Sequence, residues 1–209
     1  MGIKISYAVP VCNEHVEIQR LVSFLLQNKR SVDEIVILFD STNGTKSVED
    51  YLRAKSVNCE ISWFPYQFDG DFAKMKNHLN SMCNGDYIFQ IDADEMINPY
   101  ILDFLPQVLM VNKHVDLFRV PRLNKVDGLT NEHIQKWGWI VDDKGRVNWP
   151  DLQWRIYRND PRIKWEGKVH ERIVGHSNHS ILPLEEEWAL EHFKTIEKQE
   201  KQNNFYETL

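Results

Sequence analysis

The sequence contains few cysteines, and their arrangement argues against two classes of small protein. Its cysteines are Cys12, Cys59 and Cys83, which cannot all pair with one another, and none lies in a C-x-x-C motif. This pattern disfavours a disulfide scaffold and a zinc ribbon, and it favours a reducing compartment.

Long apolar runs are also missing. No run reaches the roughly 18 residues that a membrane-spanning helix needs. Pro10 and the polar pair Asn13 and Glu14 interrupt the N-terminal segment before a signal-peptide core can form. We therefore expect a cytoplasmic protein without an integral membrane segment.

Basic residues are not in excess, which argues against a nucleic-acid-binding protein. The chain has 25 Lys and Arg residues against 31 Asp and Glu residues, a formal net charge of -6. Nucleic-acid-binding proteins depend on an excess of Lys and Arg to contact phosphates, so nucleic acid is not an expected partner. The length of 209 residues predicts a single domain, residues 1–209.

The first half of the chain alternates strand-like and helix-like patterns. Continuous apolar runs predict strands, and apolar residues that recur every three or four positions predict helices. The predicted strands are 3–11, 34–39, 61–66 and 87–91, and the predicted helical stripes are 18–25, 48–52, 72–82 and 101–110. This alternation indicates βαβ units and a mostly parallel sheet, which binds ligands at the carboxyl ends of its strands.

The pattern changes after about residue 110. Residues 117–120 predict a strand, but the segment 122–150 lacks clear periodicity and predicts a long functional loop or an irregular insertion. Three further short strands are predicted at 153–158, 163–165 and 168–174. Residues 195–207 are predicted to form a polar C-terminal helix or a frayed tail.

The strongest local signal follows the fourth predicted strand, where residues 90–95 read QIDADE. Carboxylates this close together repel one another unless a cation lies among them. Asp92 and Asp94 lie on the same side of the chain if the strand continues, and hard divalent cations bind such oxygen pairs together with substrate phosphates. The motif indicates a metal site, with a solvated acidic turn as the alternative.

Five segments, taken in order, resemble the GT-A glycosyltransferases of the large inverting family 2. They are AVPVCNE (8–14), EIVILFDSTNGT (34–45), DFAKMKNHLN (71–80), GDYIFQIDADEMI (85–97) and WPDLQWRIYRNDPRIKWEGKVHERI (149–173). The last segment resembles a block, P-D-x-x-x-R followed by V-H-E, in members that build lipopolysaccharide core. The resemblance covers residues 3–175, and it is the order of the five motifs that makes it specific.

The resemblance implies an α/β fold of the GT-A, Rossmann-like type. A mostly parallel central sheet is flanked by helices, with a small irregular C-terminal acceptor region. Residues 1–110 would bind the nucleotide-sugar, residues 111–194 would form the acceptor and catalytic half, and residues 195–209 a polar C-terminal helix or tail. The implied activity is metal-dependent, inverting transfer of a hexose from a nucleotide-sugar, expected to be a UDP-sugar, to a hydroxyl of a glycan or lipid-linked acceptor.

The resemblance also implies roles for single residues. Asp92 and Asp94 would hold Mn²⁺ or Mg²⁺ against the donor diphosphate, where the ion stabilises the charge of the leaving group. The residues expected to contact the nucleotide-sugar are Pro10, Glu14, Asp40, Lys76, Asn77, Asp92 and Arg155. The loop after Asp40 is shorter than the family pattern. Lys76 stands where the family often has Arg, which keeps the charge and loses the bidentate fork.

Inverting transfer also needs a general base for the acceptor hydroxyl. Asp151, in the acidic position ahead of the RIYR strand, is the first candidate, with a turn residue after a proline as its structural alternative. Glu171 is the second candidate. His170 is the expected third metal ligand, by analogy with the C-terminal histidine of many GT-A enzymes, and His192 is the alternative.

Two other functions and one structural question stay open. A nucleotidyltransferase would need a Gly-rich basic loop after the first strand, where this chain reads PVCNEH. A sugar- or nucleotide-binding module with a decayed active site is favoured by the short Asp40 loop and opposed by the intact Asp92, Asp94 and Asp151. The Trp residues of the second half could stack on an acceptor sugar or pack a subdomain.

Overall fold

A computed structural model describes residues 2–58 and 60–206, with the backbone alone for residues 204–206. Cys59 and residues 207–209, the end of the predicted C-terminal tail, lie outside the described residues. The helices are α1 His15–Asn28, α2 Lys46–Ser56, α3 Phe72–Ser81, α4 Pro99–Val111, α5 Asn131–Trp137 and α6 Ile196–Tyr206, and a 3-10 helix spans Glu186–Trp188.

Most strands belong to one sheet. They are β1 Ile5–Val11, β2 Glu34–Asp40, β3 Ser62–Tyr66, β4 Tyr87–Gln90, β5 Glu95–Ile97, β6 Leu117–Asp127, β7 Leu152–Arg158, β8 Lys164–Glu166, β9 Arg172–Val174, β10 His179–Ile181 and β11 Leu190–Thr195. In the described part of the chain, nine strands join in the order β3-β2-β1-β4-β7-β6-β11-β5, with β10 paired to β6, and β8 and β9 form a separate hairpin.

The first half of the sheet is parallel. β1 pairs in parallel with both β2 and β4, and β2 pairs in parallel with β3. The chain order reverses at β1, which is where ligands bind in open parallel sheets. The carboxyl ends of β1, β2 and β4 therefore lie along one edge of the sheet. This edge carries the loop after Val11, the residue Asp40 and the segment after Gln90. The predicted α/β fold with a mostly parallel central sheet is confirmed.

Two apolar layers cover the sheet. Buried residues of α1 at 18, 21, 22 and 25 pack on one face with α2 and α4, as the 3.6-residue period predicts. The other face is covered by α3 and the β8–β9 hairpin, where Tyr157 and Trp165 are buried. The Asp71 side chain accepts a hydrogen bond from the Lys74 amide at 3.0 Å and so caps α3. None of the described helices is long and apolar enough to cross a membrane.

The second half departs from the prediction in three places. Residues 122–150 are not one irregular loop, because β6 continues to Asp127, α5 follows, and bridges join Val147 to Val141 and to Asn124. The predicted strand 168–174 is limited to β9. Neither β10 nor β11 is predicted by the sequence pattern; the inward positions of β11 include His192 and Lys194, so its apolar alternation is lost.

Candidate active site

The acidic segment after β4 forms a tight turn around a buried carboxylate. Glu95 is 0% exposed, and its Oε2 accepts the Asp92 amide at 3.0 Å. The Glu95 amide in turn donates to the Asp92 carbonyl at 2.9 Å. Glu95 therefore holds the turn together, while the Asp92 side chain stays 34% exposed at the sheet edge.

A chain of alternating charges runs from this turn to the start of β7. The buried Arg155 donates from Nη2 to Asp92 Oδ2 at 2.6 Å and to Glu95 Oε1 at 2.7 Å. Arg122 donates from Nη1 to the same Glu95 oxygen at 3.2 Å. Its Nε and Nη2 donate to Asp151 Oδ2 at 2.9 and 2.7 Å. Arg155, expected to contact the donor, is thus engaged by two carboxylates of the turn.

Asp151 is held by four donors, three of them on one oxygen. Besides Arg122, Asn124 Nδ2 donates to Asp151 Oδ2 at 2.8 Å, whereas Gln153 Nε2 donates to Oδ1 at 2.7 Å. Burial would raise the pKa of Asp151, but the Arg122 charge and the Asn124 hydrogen bond outweigh it and lower the pKa. Asp151 is therefore a carboxylate at neutral pH, with its free acceptor capacity on Oδ1.

Asp94 faces a cluster of basic groups. His192 Nε2, Lys194 Nζ and Lys198 Nζ lie 3.5, 3.5 and 3.4 Å from Asp94 Oδ2. Burial would raise the pKa of Asp94, but the His192 contact and the two lysine charges hold it well below its usual range. Burial lowers the pKa of His192, and the Lys194 and Arg122 charges add to this, whereas the contact with Asp94 opposes it.

Asp94 and His192 are the candidate protein ligands of a divalent ion, and Lys194 and Lys198 face the same Asp94 oxygen. Among residues 2–58 and 60–206, no three His, Cys, Asp or Glu side chains form a group able to hold a metal ion. Asp94 and His192 nevertheless present an oxygen and a nitrogen to one another. Mg²⁺ is commonly bound through one or two protein ligands with substrate phosphates and water completing the shell. His170 lies exposed between β8 and β9 with φ 56°, and does not complete a set of three with Asp92 and Asp94.

Lys76 and Glu171 form an ion pair beside Asp92. Lys76 Nζ donates to Glu171 Oε1 and also lies 4.4 Å from the centroid of a Trp165 ring. Burial opposes ionisation of Asp92, but the charges of Arg155 and then Lys76 lower its pKa to about 2. Lys76 therefore adds positive potential beside Asp92, as expected for a group near a diphosphate, while its Nζ is also paired with Glu171.

Asn77 has a structural contact where a nucleotide contact was expected. Its Oδ1 accepts the Trp165 amide at 2.8 Å and its Nδ2 donates to the Trp165 carbonyl at 2.8 Å. This two-point contact fixes β8 on α3, and it positions the hairpin that carries Glu171.

The remaining residues that were predicted to contact the nucleotide-sugar form hydrogen bonds within their own loops. Asp40 Oδ1 accepts the amides of Thr42 and Asn43 at 2.8 and 3.1 Å. Glu14 Oε2 accepts the amides of Cys12 and Asn13 at 2.9 and 3.1 Å. The structure brings these two loops together beside Pro10 because the Thr45 amide donates to the Cys12 carbonyl at 3.2 Å.

The tryptophans divide between core and surface. Trp165 and Trp188 are buried, whereas Trp137 and Trp139 are half-buried with ring centroids 4.7 Å apart. Trp149 is also half-buried, with the Arg146 guanidinium 4.6 Å from its ring centroid. Trp165 and Trp188 therefore pack the core. Trp137, Trp139 and Trp149 leave aromatic surface next to the segment that leads to Asp151.

Several residues of this site were missed by sequence reasoning. Arg122 and Asn124 alternate on β6, and Lys194 follows His192 by two positions on β11. Alternating polar residues on one face of a strand were the available signal. The aperiodic appearance of the surrounding segment concealed it.

Comparisons with known proteins agree with this architecture. The family model described as Glycosyl transferase family 2 matches residues 6–172. The chain is 22% identical over 178 residues to the SPbeta prophage-derived glycosyltransferase SunS of Bacillus subtilis (strain 168), covering 85% of this chain and 36% of that protein. The glycosyltransferase SunS of Bacillus phage SPbeta gives the same values. The chain thus spans little more than a third of these relatives.

Solved structures share the fold. S. aureus TarS 1–349 in complex with UDP superposes with a TM-score of 0.63 at 16% identity, over 93% of this chain and 61% of that chain. The complex of the same protein with UDP-GlcNAc gives a TM-score of 0.62 at 16% identity, over 93% and 59%. At this level of identity the likeness establishes the fold alone.

Proposed function

The chain belongs to glycosyl transferase family 2, and from this membership we propose that it transfers a hexose from a nucleotide-sugar, a UDP-hexose, to an acceptor hydroxyl. Residues 1–110 would bind the donor, residues 111–194 the acceptor, and residues 195–209 would form the polar C-terminal element. The narrower resemblance to enzymes of lipopolysaccharide core, the glycan or lipid-linked acceptor and a cytoplasmic location stay predictions.

One observation carries the proposal, namely the carboxylates of the Asp92–Glu95 turn surrounded by cations at the carboxyl edge of the parallel sheet. Lys76 lies on the Asp92 side, and Lys194 and Lys198 lie on the Asp94 side. Such a site can bind a cation through its carboxylates and a diphosphate through its lysines. The complexes of TarS with UDP and UDP-GlcNAc support uridine as the base.

The structure favours His192 over His170 as the partner of Asp94 for a divalent ion. His192 is buried and its Nε2 lies 3.5 Å from the Asp94 carboxylate, whereas His170 is exposed on a hairpin. Asp94 and His192 would hold Mn²⁺ or Mg²⁺, with Asp92 beside it. When bound, the ion would stabilise the negative charge that develops on the nucleoside diphosphate.

Asp151 is the better supported general base. It is ionised at neutral pH, and its Oδ1 has acceptor capacity beyond the Gln153 hydrogen bond. Glu171, whose Oε1 accepts a hydrogen bond from Lys76 Nζ, is the second candidate. A carboxylate that removes the acceptor proton during direct displacement supports inversion at the sugar carbon.

We expect donor turnover to require a divalent ion and to depend on His192. Release of UDP from UDP-glucose and UDP-GlcNAc, with water as the acceptor, should occur with Mn²⁺ or Mg²⁺ and stop after chelation. Asp94→Ala should lower the rate about 10²-fold or more because the ion loses a ligand. His192→Ala should raise the Mn²⁺ concentration needed for half-maximal rate about 10–100-fold.

His170→Ala is the matched control and should leave this metal requirement unchanged. Full turnover in the presence of chelator, or full turnover by Asp94→Ala, would contradict the metal part of the proposal. A metal requirement that changes in His170→Ala and not in His192→Ala would assign the role of metal ligand to His170 instead of His192.

A further inference from the structure

Lys76 is a cation that the fold has largely removed from water beside the candidate donor site. It lies on α3, its side chain is 9% exposed, and its Nζ lies 4.4 Å from the centroid of a Trp165 ring. Its charge also stabilises the Asp92 carboxylate. A buried ammonium group needs a counter-charge, because burial of an unpaired charge is costly.

Glu171 supplies this counter-charge from the loop of the β8–β9 hairpin. Its Oε1 accepts a hydrogen bond from Lys76 Nζ, and the Glu171 side chain is itself 13% exposed. The two side chains therefore shield each other from water. In this structure the ammonium group that we expect beside the donor diphosphate is engaged by a carboxylate of the protein.

A carboxylate and a phosphate make the same kind of contact with an ammonium group. Both present anionic oxygens that accept charge-assisted hydrogen bonds. A diphosphate on the Asp92 side of the site would lie within reach of the Lys76 charge. If Glu171 stayed on Lys76, two anionic groups would meet at one partly buried cation, which is unfavourable. Glu171 and the diphosphate therefore compete for Lys76.

The hairpin has a fixed base and an exposed loop. Trp165 and Ile173 are buried at the base, and the Asn77 side chain forms hydrogen bonds with both backbone groups of Trp165. Residues 167, 168 and 170 of the loop are exposed. A segment with little buried apolar surface opens at a lower cost in free energy than a packed core. The loop can therefore release Lys76 while the base of the hairpin stays on α3.

From these observations we infer that Glu171 occupies the place of a donor phosphate on Lys76 and is displaced from it when the nucleotide-sugar binds. The inference rests on the proposed function. Breaking the Lys76–Glu171 pair costs free energy that is subtracted from the free energy of donor binding, so the pair lowers donor affinity. Donor binding and the opening of the loop, residues 167–171, are thereby coupled.

Three variants isolate the pair. Glu171→Gln keeps the size of the side chain and removes its charge. Lys76→Met replaces the ammonium group with an apolar end that suits a buried position, and the third variant combines both substitutions. Glu166→Gln is the control, because Glu166 lies on the same hairpin, is 55% exposed and pairs with Lys164.

The first measurement is the Kd of UDP by calorimetric titration in saturating Mn²⁺. We expect Glu171→Gln to bind UDP about tenfold more tightly than wild type, and Glu166→Gln to bind it like wild type. Lys76→Met should bind UDP about tenfold more weakly, because a hydrogen bond to a charged group is lost. Adding Glu171→Gln to Lys76→Met should change the Kd by less than about twofold. Melting temperatures of all variants establish that they are folded.

The second measurement is amide hydrogen exchange in the hairpin. Residues 167–171 should exchange faster with UDP and Mn²⁺ than without them, whereas β8 should exchange at an unchanged rate. In Glu171→Gln the loop should exchange faster even without UDP. Slower or unchanged exchange of the wild-type loop on binding UDP would overturn the inference.

The titrations also separate the inference from the proposed function. Wild-type affinity or weaker binding in Glu171→Gln would overturn the inference. An equal gain of affinity from Glu171→Gln in the Lys76→Met background would overturn it as well, because Glu171 would then act on the ligand without Lys76. In either case UDP binding by wild type leaves the proposed function standing. If neither wild type nor Glu171→Gln binds UDP or another nucleoside diphosphate, the proposed function fails and the inference fails with it.

Discussion

Asp151→Asn is expected to lower kcat for UDP-hexose turnover about 10²–10⁴-fold, the usual contribution of a general base. The substitution keeps the shape of the side chain and an oxygen that accepts from Arg122, but it removes the basic oxygen. The KM for the donor should change by less than about threefold, because Asp151 contributes little to binding of the donor in this account. Initial rates of UDP release in saturating Mn²⁺ give both constants.

Glu171→Gln is the comparison that decides between the two candidate bases. It neutralises the partner of Lys76 while leaving the Arg122, Asn124 and Gln153 contacts of Asp151 intact. We expect its kcat to stay within about tenfold of wild type. A loss of 10²-fold or more in Glu171→Gln together with near-normal kcat in Asp151→Asn would assign the base to Glu171.

Arg155→Met is expected to be the most destabilising substitution at the site, by about 3–5 kcal/mol in the free energy of unfolding. The guanidinium is buried and donates to both Asp92 and Glu95. Removing it leaves the fully buried Glu95 with only part of its positive partners, and burying an uncompensated charge is costly. Urea unfolding at neutral pH measures the change.

Two further variants test the cause of this loss. Arg155→Met combined with Glu95→Gln should recover part of the stability, because the orphaned carboxylate is then neutral. Arg162→Met removes an Arg that is 82% exposed and paired with Asp160, and should unfold like wild type. A wild-type unfolding free energy for Arg155→Met would mean that the buried charge chain does not stabilise the fold.

The strands and helices of the parallel half of the fold can be predicted from the sequence alone. Continuous apolar runs mark β2 and β4 because both faces of these strands are covered, and the stripe of α1 has the period of a helix. β11 could not be found in the same way. Its inward positions include His192 and Lys194, which face Asp94, so the apolar alternation of the strand is lost.

The candidate site was predictable where it follows a strand end and not where it depends on contacts between distant segments. Asp92 and Asp94 are visible in the sequence because they directly follow a buried strand. The association of Asn124 with both His192 and Asp151 depends on three segments meeting in space. Asn77 resembles a family motif, and only the structure shows that both ends of its amide bind the backbone of Trp165.

The most direct test of a nucleotide-sugar site is a thermal-shift titration with UDP, GDP, CDP, ADP and dTDP, each with and without Mn²⁺. A nucleotide present at 100 times its Kd should stabilise the folded state by about 2.7 kcal/mol. We predict this shift for UDP, dependent on Mn²⁺ and lost in the Asp92→Ala/Asp94→Ala double variant. No shift with any nucleotide would contradict the account and favour an acidic turn without donor binding, whereas an equal shift in the double variant would place the nucleotide elsewhere.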